Sequence, residues 1–371
     1  MPRKVFLAGL FAGIIAFSYG IIIIVGGGFM EKNGNKAAVF LFSLLFVLVF
    51  GAMIFLALFE EQERSENFFD IPANAFSPAE ISPVALSQDG SKTENVPGGV
   101  VDVGAKGKAE GKIIEKYFSP YTANTSYKNV YLKNSTDLKI DIASLLSEKL
   151  RYGIVKNSSP QVLVLHTHAT ESFFSGNRDY YTDKDLTRTT DISKNVVSLG
   201  EIVAKILNAS GVSTLHDKTL HDHPSYNDSY PNAAATINSY KAKYKDLKVV
   251  IDIHRDAIAS GESDKIKLTK TVNGKPAAQI MLVMGSQSGT VKNFPDYREN
   301  LKLAVRIQSK IESLYPGLAR AVSLMPRNYN ESLTTGSVLI EIGTDANSLE
   351  EAQYSAELLG NALAELFKEL Q

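Results

Sequence analysis

The chain has 371 residues, is 44% hydrophobic and is nearly neutral, with 39 Lys and Arg against 40 Asp and Glu. Without a net positive charge it lacks the broad basic surface that nucleic-acid binding uses, so nucleic acid is excluded as an expected partner. It also has no Cys, which excludes thiolate zinc sites, iron–sulfur clusters, disulfides and a catalytic thiol, and leaves His, Asp and Glu as the metal ligands.

Two apolar segments predict a membrane anchor over residues 1–59. Val5–Gly28 and Ala37–Phe59 contain no charged residue, and each is long enough to cross about 30 Å of hydrocarbon as a helix. The first is longer than the apolar core of a cleaved signal peptide, so a retained helix is expected. The Lys and Arg residues flanking the two segments are nearly balanced, so they leave the orientation open. The number of crossings, one or two, is also open.

Residues 60–111 are predicted to form a flexible linker. They contain clustered Glu residues, Pro72, Pro78 and Pro83, and a Gly-rich end, a composition that cannot bury enough apolar surface to fold alone. Alternating apolar runs and helical periodicity follow to the carboxyl terminus. We divide this part into a strand-and-helix preface, residues 112–158, and a catalytic domain, residues 159–371.

The catalytic domain is predicted to have an α/β fold, with a largely parallel sheet covered by helices. Short apolar runs predict buried strands, and helical periodicity alternates with them. The predicted strands are Gln161–His166, Val249–Ile253, Gln279–Met284 and Val338–Ile342, and the predicted helices are Ser193–Asn208, Ala233–Tyr244, Arg298–Tyr315 and Leu349–Leu370. Asn273-Gly274 predicts a tight turn and hence a hairpin over Lys265–Met284.

The first cluster of polar residues follows the first predicted strand, at the edge where open α/β sheets bind ligands. It contains His166, His168 and Glu171, and a loop of this length can bring an imidazole and a carboxylate to one metal ion. The structural alternative is a His that caps the sheet edge and a Glu that forms a salt bridge.

Two further clusters lie on later strands. His254 is flanked by Asp252 and Asp256, which suit either the support of a metal-bound imidazole or a purely structural pair. Glu341 lies inside an apolar strand, where burial would raise its pKa toward the range of a general base unless it faces solvent. A hydrolytic zinc site needs three protein ligands, a water and a nearby base. The clusters contain enough His and Glu residues for the three ligands and the base. Arg255 is predicted to help stabilise the oxyanion.

These motifs resemble those of the stage II sporulation protein P family, membrane-anchored peptidoglycan hydrolases related to zinc-dependent N-acetylmuramoyl-L-alanine amidases. The resemblance runs from about Ser159 to the carboxyl terminus. Its motifs are His166-Thr-His168-Ala-Thr-Glu171-Ser172, His216-Asp-Lys-Thr-Leu-His221-Asp with Pro224-Ser-Tyr226-Asn, Asp252-Ile-His254-Arg255-Asp256 and Leu339-Ile-Glu341-Ile-Gly343.

The resemblance implies cleavage of the bond between N-acetylmuramic acid and L-alanine, with an associated endopeptidase activity on peptide crosslinks. It also implies action at the sporulation septum during engulfment, with the stage II sporulation proteins D and M as partners. Because peptidoglycan lies outside the cell membrane, the catalytic domain is expected on the extracytoplasmic side.

The resemblance also implies roles for single residues. His168 and His254 match the two zinc histidines, and Glu341 matches the carboxylate that activates water. The third ligand departs from the wider amidase pattern, because Ser193 stands where a Glu is expected. Glu171 is therefore our first choice for the third Zn²⁺ ligand, with His221 second and His166 third.

Two other features leave alternatives open. Tyr226, Asn227 and Tyr230 suit either binding of glycan or stem peptide or a plain polar loop. The predicted hairpin contains four lysines, Lys265, Lys267, Lys270 and Lys275. They could bind anionic wall material, but a solvated charged ribbon without a binding role is the expected interpretation. For the whole chain, the alternatives to an amidase are a non-catalytic peptidoglycan-binding scaffold and a zinc endopeptidase of stem peptides.

Overall fold

The computed structural model describes residues 107–156 and 159–371. The predicted membrane anchor and almost all of the predicted linker lie outside these residues. Within them, no helix combines the length and the apolar character needed to cross a membrane.

The main sheet has eight strands, numbered along the chain. From edge to edge they are β2 (Thr125–Tyr127), β3 (Val130–Asn134), β12 (Val322–Met325), β11 (Ile280–Gly285), β13 (Ser337–Thr344), β7 (Val249–Asp256), β4 (Val162–Leu165) and β6 (Thr214–His216). Only the β2–β3 and β11–β13 pairs of this sheet are antiparallel. The predicted α/β fold with a largely parallel sheet is confirmed.

Helices cover both faces of the main sheet. They are α1 (Ile142–Ser147), α2 (Val196–Ala209), α3 (Ser229–Lys243), α4 (Tyr297–Leu314) and α5 (Leu349–Glu369). The side chains of β4 point alternately to the two faces of the sheet. Val162 and Val164 pack into the large core with α2, α4 and α5, whereas Leu163 and Leu165 pack with α3 on the other side. We call the second side the α3 face of the sheet.

A second sheet has the order β10 (Lys275–Ala278), β9 (Asp264–Val272), β1 (Ala109–Lys116) and β5 (Tyr180–Thr182), with β8 (Ala259–Ser260) paired to β9. The predicted turn is present, since Asn273 and Gly274 have φ values of 49° and 76° between β9 and β10. The predicted hairpin is too long, however. After Ala278 the chain leaves it and enters the main sheet as β11, which buries Ile280 and Leu282 in the large core.

The described part of the predicted preface, residues 112–156, contributes to both sheets. β1 pairs with β9 in the second sheet, β3 pairs with β12 in the main sheet, and α1 packs against α4. β1 begins at Ala109, inside the predicted linker.

Candidate active site

Strand alternation places the polar residues of two neighbouring strands on the α3 face. Ile251 and Ile253 of β7 point into the large core, so Asp252 and His254 point to the opposite side. Glu341 of β13 is paired with His254 in the parallel register. The loop after β4 joins this group, because Thr167 donates to Asp252 through its backbone N–H at 2.8 Å and its hydroxyl at 2.5 Å.

His254 lies between two carboxylates. Its Nε2 is 2.9 Å from Asp252 Oδ1, and its Nδ1 is 3.5 Å from Glu171 Oε2. Burial alone would lower the pKa of His254, but the two carboxylates raise it well above its ordinary value. His254 in turn holds the pKa of Asp252 at about 2, against the upward effect of burial.

His168 is surrounded by aromatic rings. Tyr226 is stacked on it at 4.6 Å, while Tyr230 and His254 meet it edge-on at centroid distances of 5.6 and 5.2 Å. Its Nδ1 is buried and has no hydrogen-bond partner among the described residues. Burial, helped by the charge of His254, lowers the pKa of His168 to about 4, so the ring is neutral at physiological pH.

Glu171 is held at the start of α2, although it lies far from this helix in sequence. Its backbone carbonyl accepts from the N–H of Val196 at 2.9 Å, and its Oε2 accepts from the N–H of Arg255 at 3.1 Å. Burial would raise the pKa of Glu171, but a hydrogen bond and the charge of His254 lower it to about 2. The side chain is therefore an ionised carboxylate.

Asp222 and Arg188 fix the loop that carries Glu171. The buried Asp222 carboxylate accepts from Arg188 at 2.7 Å and from Thr170, whose hydroxyl is at 2.6 Å. Arg188 also lies 3.4 Å from Glu171 Oε1. Neither residue has a predicted role at the site, because each comes from a different loop and no spacing marks it as a neighbour of Glu171.

Glu341 has the unusual carboxyl group of the site. Burial raises its pKa to about 8, more than the charge of His254 lowers it. Its Oε2 is buried without a hydrogen-bond partner in the described part of the chain. Such a group takes up and releases a proton near neutral pH, as a general base must.

The donor set suits a metal ion. His168 offers a neutral, unpartnered Nδ1. Asp252 lies 2.9 Å from the Nε2 of His254 as an ion pair without hydrogen-bond geometry, and the Nδ1 of His254 faces Glu171. Two imidazoles and a carboxylate, one imidazole being supported by a second carboxylate, are typical of zinc sites. In residues 107–156 and 159–371, however, no three His, Asp or Glu side chains already converge on one point as metal ligands.

Arg255 is the predicted site residue that the structure does not bring to this group. Being next to His254 in a strand, it points to the opposite face. Its guanidinium donates to three backbone carbonyls, those of Ser172, Asp256 and Thr187. Only its backbone N–H donates to a site residue, Glu171, and its guanidinium acts on the site through its charge alone.

The two alternative third ligands are engaged elsewhere. His221 uses Nδ1 on the carbonyl of His166 at 2.8 Å and Nε2 on the hydroxyl of Thr236 at 2.9 Å. His166 uses Nδ1 on the carbonyl of Ile253 and Nε2 on the Nε2 of His216, at 2.9 and 3.0 Å. Both rings therefore support the strand ends beneath the site.

The remaining candidates divide into near and distant ones. Tyr226 and Tyr230 line the site through their contacts with His168. The hairpin lysines belong to the second sheet, and the expectation of a solvated ribbon is wrong for Lys267, which is buried and lies 3.0 Å from Glu351.

The profile of the stage II sporulation protein P (SpoIIP) family matches residues 101–364. The chain belongs to this family. The family's curated member from Bacillus subtilis (strain 168), stage II sporulation protein P, is 33% identical over 224 residues, which are 56% of this chain and 50% of that protein. The chain thus spans about half the length of the curated relative it matches.

Among solved structures, the chain is similar to N-acetylmuramyl-L-alanine amidase Ami1 from Mycobacterium smegmatis, with 14% identity, a TM-score of 0.34 and coverage of 57% of this chain and 99% of that one. It is also similar to the CwlD amidase from Clostridioides difficile in complex with the GerS lipoprotein. That likeness has 14% identity, a TM-score of 0.34 and coverage of 57% and 98%. Both are weak compared with the match to the SpoIIP family.

Proposed function

We propose that this chain is a zinc-dependent peptidoglycan hydrolase that cleaves the amide bond between N-acetylmuramic acid and L-alanine during sporulation. One observation carries the proposal: His168, His254 and Glu171 lie together beside Glu341, whose pKa is raised to about 8. Membership of the SpoIIP family supports peptidoglycan as the substrate. The family resemblance of the motifs supports the choice of bond.

His168, Glu171 and His254 would hold the ion. When bound, zinc supplies positive charge that polarises the scissile carbonyl and lowers the pKa of water. Asp252 supports His254 through their ion pair, and Asp222 with Arg188 keeps Glu171 in place. This support matters because small displacements of reacting groups slow catalysis strongly.

Glu341 performs the proton transfers. It takes one proton from the attacking water while the water oxygen bonds to the carbonyl carbon and the carbonyl π electrons move to oxygen. It then gives that proton to the amide nitrogen as the carbon–nitrogen bond breaks and the carbonyl re-forms. The products are a free carboxyl group on the muramic acid and a free L-alanine amine, which balances the added water.

The setting of the reaction is part of the same proposal. Peptidoglycan lies outside the cell membrane, so the described domain would work on the extracytoplasmic side of the sporulation septum, tethered by the predicted anchor. The stage II sporulation proteins D and M are the partners implied by the resemblance. Protease treatment of intact sporulating cells tests the sidedness, since an extracytoplasmic domain is degraded.

Release of fragments from purified sacculi tests the activity. The purified chain is incubated with sacculi, with chelator, and with chelator followed by zinc, and the products are analysed by mass spectrometry; Glu341→Gln is the matched control. We expect free stem peptides and peptide-free glycan that disappear with chelator and return with zinc. Cleaved crosslinks with stems still attached to glycan would favour the endopeptidase, and sacculus binding without release would favour the scaffold.

A further inference from the structure

In the proposed reaction negative charge forms on the carbonyl oxygen, and a hydrogen-bond donor there would add to the stabilisation that zinc would supply. The guanidinium groups of the two arginines nearest the site are already paired. The Arg255 guanidinium is held by backbone carbonyls on the opposite face of β7. The Arg188 guanidinium is paired with Asp222 and Glu171. A donor at the carbonyl oxygen would therefore come from a different side chain.

Tyr230 has the required position. It lies in the first turn of α3, the helix that covers the α3 face of the sheet. Its ring meets His168 edge-on at a centroid distance of 5.6 Å and an interplanar angle of 89°. Burial, and then the charges of Asp252, Glu341 and Glu171 among others, raise the pKa of Tyr230. The Tyr230 hydroxyl therefore keeps its proton at neutral pH.

The backbone of Tyr230 is anchored by the segment that contains Tyr329 and Asn330. The side-chain amide of Asn330 donates to the backbone carbonyl of Tyr230 at 2.8 Å, and the Tyr329 ring lies 6.4 Å away. Asn330 and Tyr329 both have left-handed backbone conformations, with φ of 58° and 51°. Consecutive non-glycine residues in this region are strained, and such strain concentrates at functional sites.

The Tyr230 hydroxyl is also uncommitted. It makes no hydrogen bond to any side chain or backbone group that the structure describes, whereas Tyr240, farther along α3, donates to Asp217 at 3.1 Å. A preorganised donor that is free in the resting protein can bond to the substrate without first breaking another bond.

We propose that Tyr230 is a catalytic residue that donates a hydrogen bond from its hydroxyl to the oxygen of the scissile carbonyl. This inference rests on the proposed function. As water adds to the carbonyl carbon, the π electrons move to oxygen, and the bond from Tyr230 strengthens with the growing negative charge. Tyr230 keeps its proton throughout, so the proton transfers remain those of Glu341.

The substitution Tyr230→Phe removes the hydroxyl and so tests the proposed hydrogen bond to the carbonyl oxygen. Tyr240→Phe, on the same helix, is the matched control. Both variants are assayed for kcat and KM on a soluble glycan-linked muropeptide, for zinc content and for Tm. We expect Tyr230→Phe to lower kcat about 10²- to 10³-fold, the loss typical of one oxyanion donor, with KM within about threefold and zinc content unchanged. Tyr240→Phe should keep the wild-type kcat.

Three outcomes would overturn the inference. These are an unchanged kcat in Tyr230→Phe, a loss confined to KM, and a fall in kcat accompanied by an equal loss of bound zinc, which would make Tyr230 a packing residue for His168. If Tyr230→Phe does not fold, 3-fluorotyrosine at position 230 keeps the ring and the hydroxyl, and an altered kcat at constant KM is then expected. Failure of the proposed function looks different, because the wild-type chain would itself release nothing.

Discussion

At the residue scale, the site separates its ionisable groups by environment. Asp252 and Glu171 are carboxylates with pKa values of about 2, whereas Glu341, one strand away, has a pKa of about 8. The difference arises because His254 contacts the first two and leaves one oxygen of Glu341 without a partner. Pairs of carboxyl groups with separated pKa values are the usual basis for assigning different catalytic roles.

The role of Glu341 predicts the effect of removing its charge. Glu341→Gln should retain zinc but lower kcat about 10²- to 10⁴-fold, the usual contribution of a general base. Because the base must be ionised, the wild-type kcat/KM should rise with pH up to an apparent pKa below 8, since a bound dication lowers the pKa of a nearby carboxyl. Steady-state kinetics between pH 5 and 9 measure both effects. A variant that keeps more than half of the activity would contradict the assignment.

The raised pKa of Glu331 leads to a second prediction, on how the stability of the fold depends on pH. Glu331 is buried, and burial together with the charge of Asp252 raises its pKa well above the ordinary value, although the N–H of Gly285 donates to it at 2.8 Å. A raised folded pKa stabilises the fold below the unfolded pKa of about 4.5, and this stability is lost as pH rises toward the folded value. Glu331→Gln removes the titration, so the unfolding free energy of the variant relative to wild type should increase from pH 4.5 to 8. Urea denaturation at both pH values measures it, and a difference independent of pH would show that Glu331 ionises normally.

The site also shows which residue-level inferences a sequence supports. Ligand-type residues at strand ends were sufficient to predict that His168, Glu171, His254 and Glu341 lie together, because parallel strands end at one edge. The position of Arg255 was also predictable, because neighbouring residues in a strand point to opposite faces and Arg255 follows His254 in β7. Asp222 and Arg188 carried no such signal, because loops with no periodicity bring them to Glu171.

At the scale of elements, long periodic segments were predicted well, whereas very short strands and pairings between distant strands were not. The four predicted strands and four predicted helices are all present, with ends that differ by a few residues; α2 begins at Val196 because the side chain of Asn195 caps it. The pairing of β1 with β9 was not predictable, because it depends on contacts between residues far apart in sequence. β12, with four residues, is too short to show a period.

Gly200 in α2 illustrates a packing requirement that periodicity cannot express. A Cβ added there would lie 2.5 Å from His166 Nε2 and 2.6 Å from His216 Nε2. Gly200→Ala should therefore lower the unfolding free energy by roughly 1–3 kcal/mol, as overpacking does, despite a gain of about 1 kcal/mol in helix propensity. In a His216→Ala background the added methyl group has more room, so the cost should shrink. Chemical denaturation of the four proteins of this cycle measures the coupling, and additive effects would rule out the proposed clash.

At the scale of the whole molecule, the candidate site ties together segments that are distant in the chain. His168 and Glu171 come from the loop after β4, His254 from β7 and Glu341 from β13, and α3 covers them. The predicted anchor and linker precede this domain, and their membrane role stays a prediction. A ligand held by several elements at once binds only the folded state, so its binding free energy adds to the stability of the domain.

Zinc should therefore raise the Tm of the chain. At a free zinc concentration 1,000 times the dissociation constant, the stabilisation is about 4 kcal/mol. Because ligand imidazoles must be unprotonated, the rise in Tm should shrink as pH falls. His254→Ala should abolish the rise, whereas His223→Ala, which removes an exposed imidazole outside the site, should leave it intact. Differential scanning calorimetry with and without zinc at pH 7.5 and 5.5 measures it. An equal rise in both variants would mean that zinc binds elsewhere, and no rise in the wild-type chain would remove the metal from the proposed reaction.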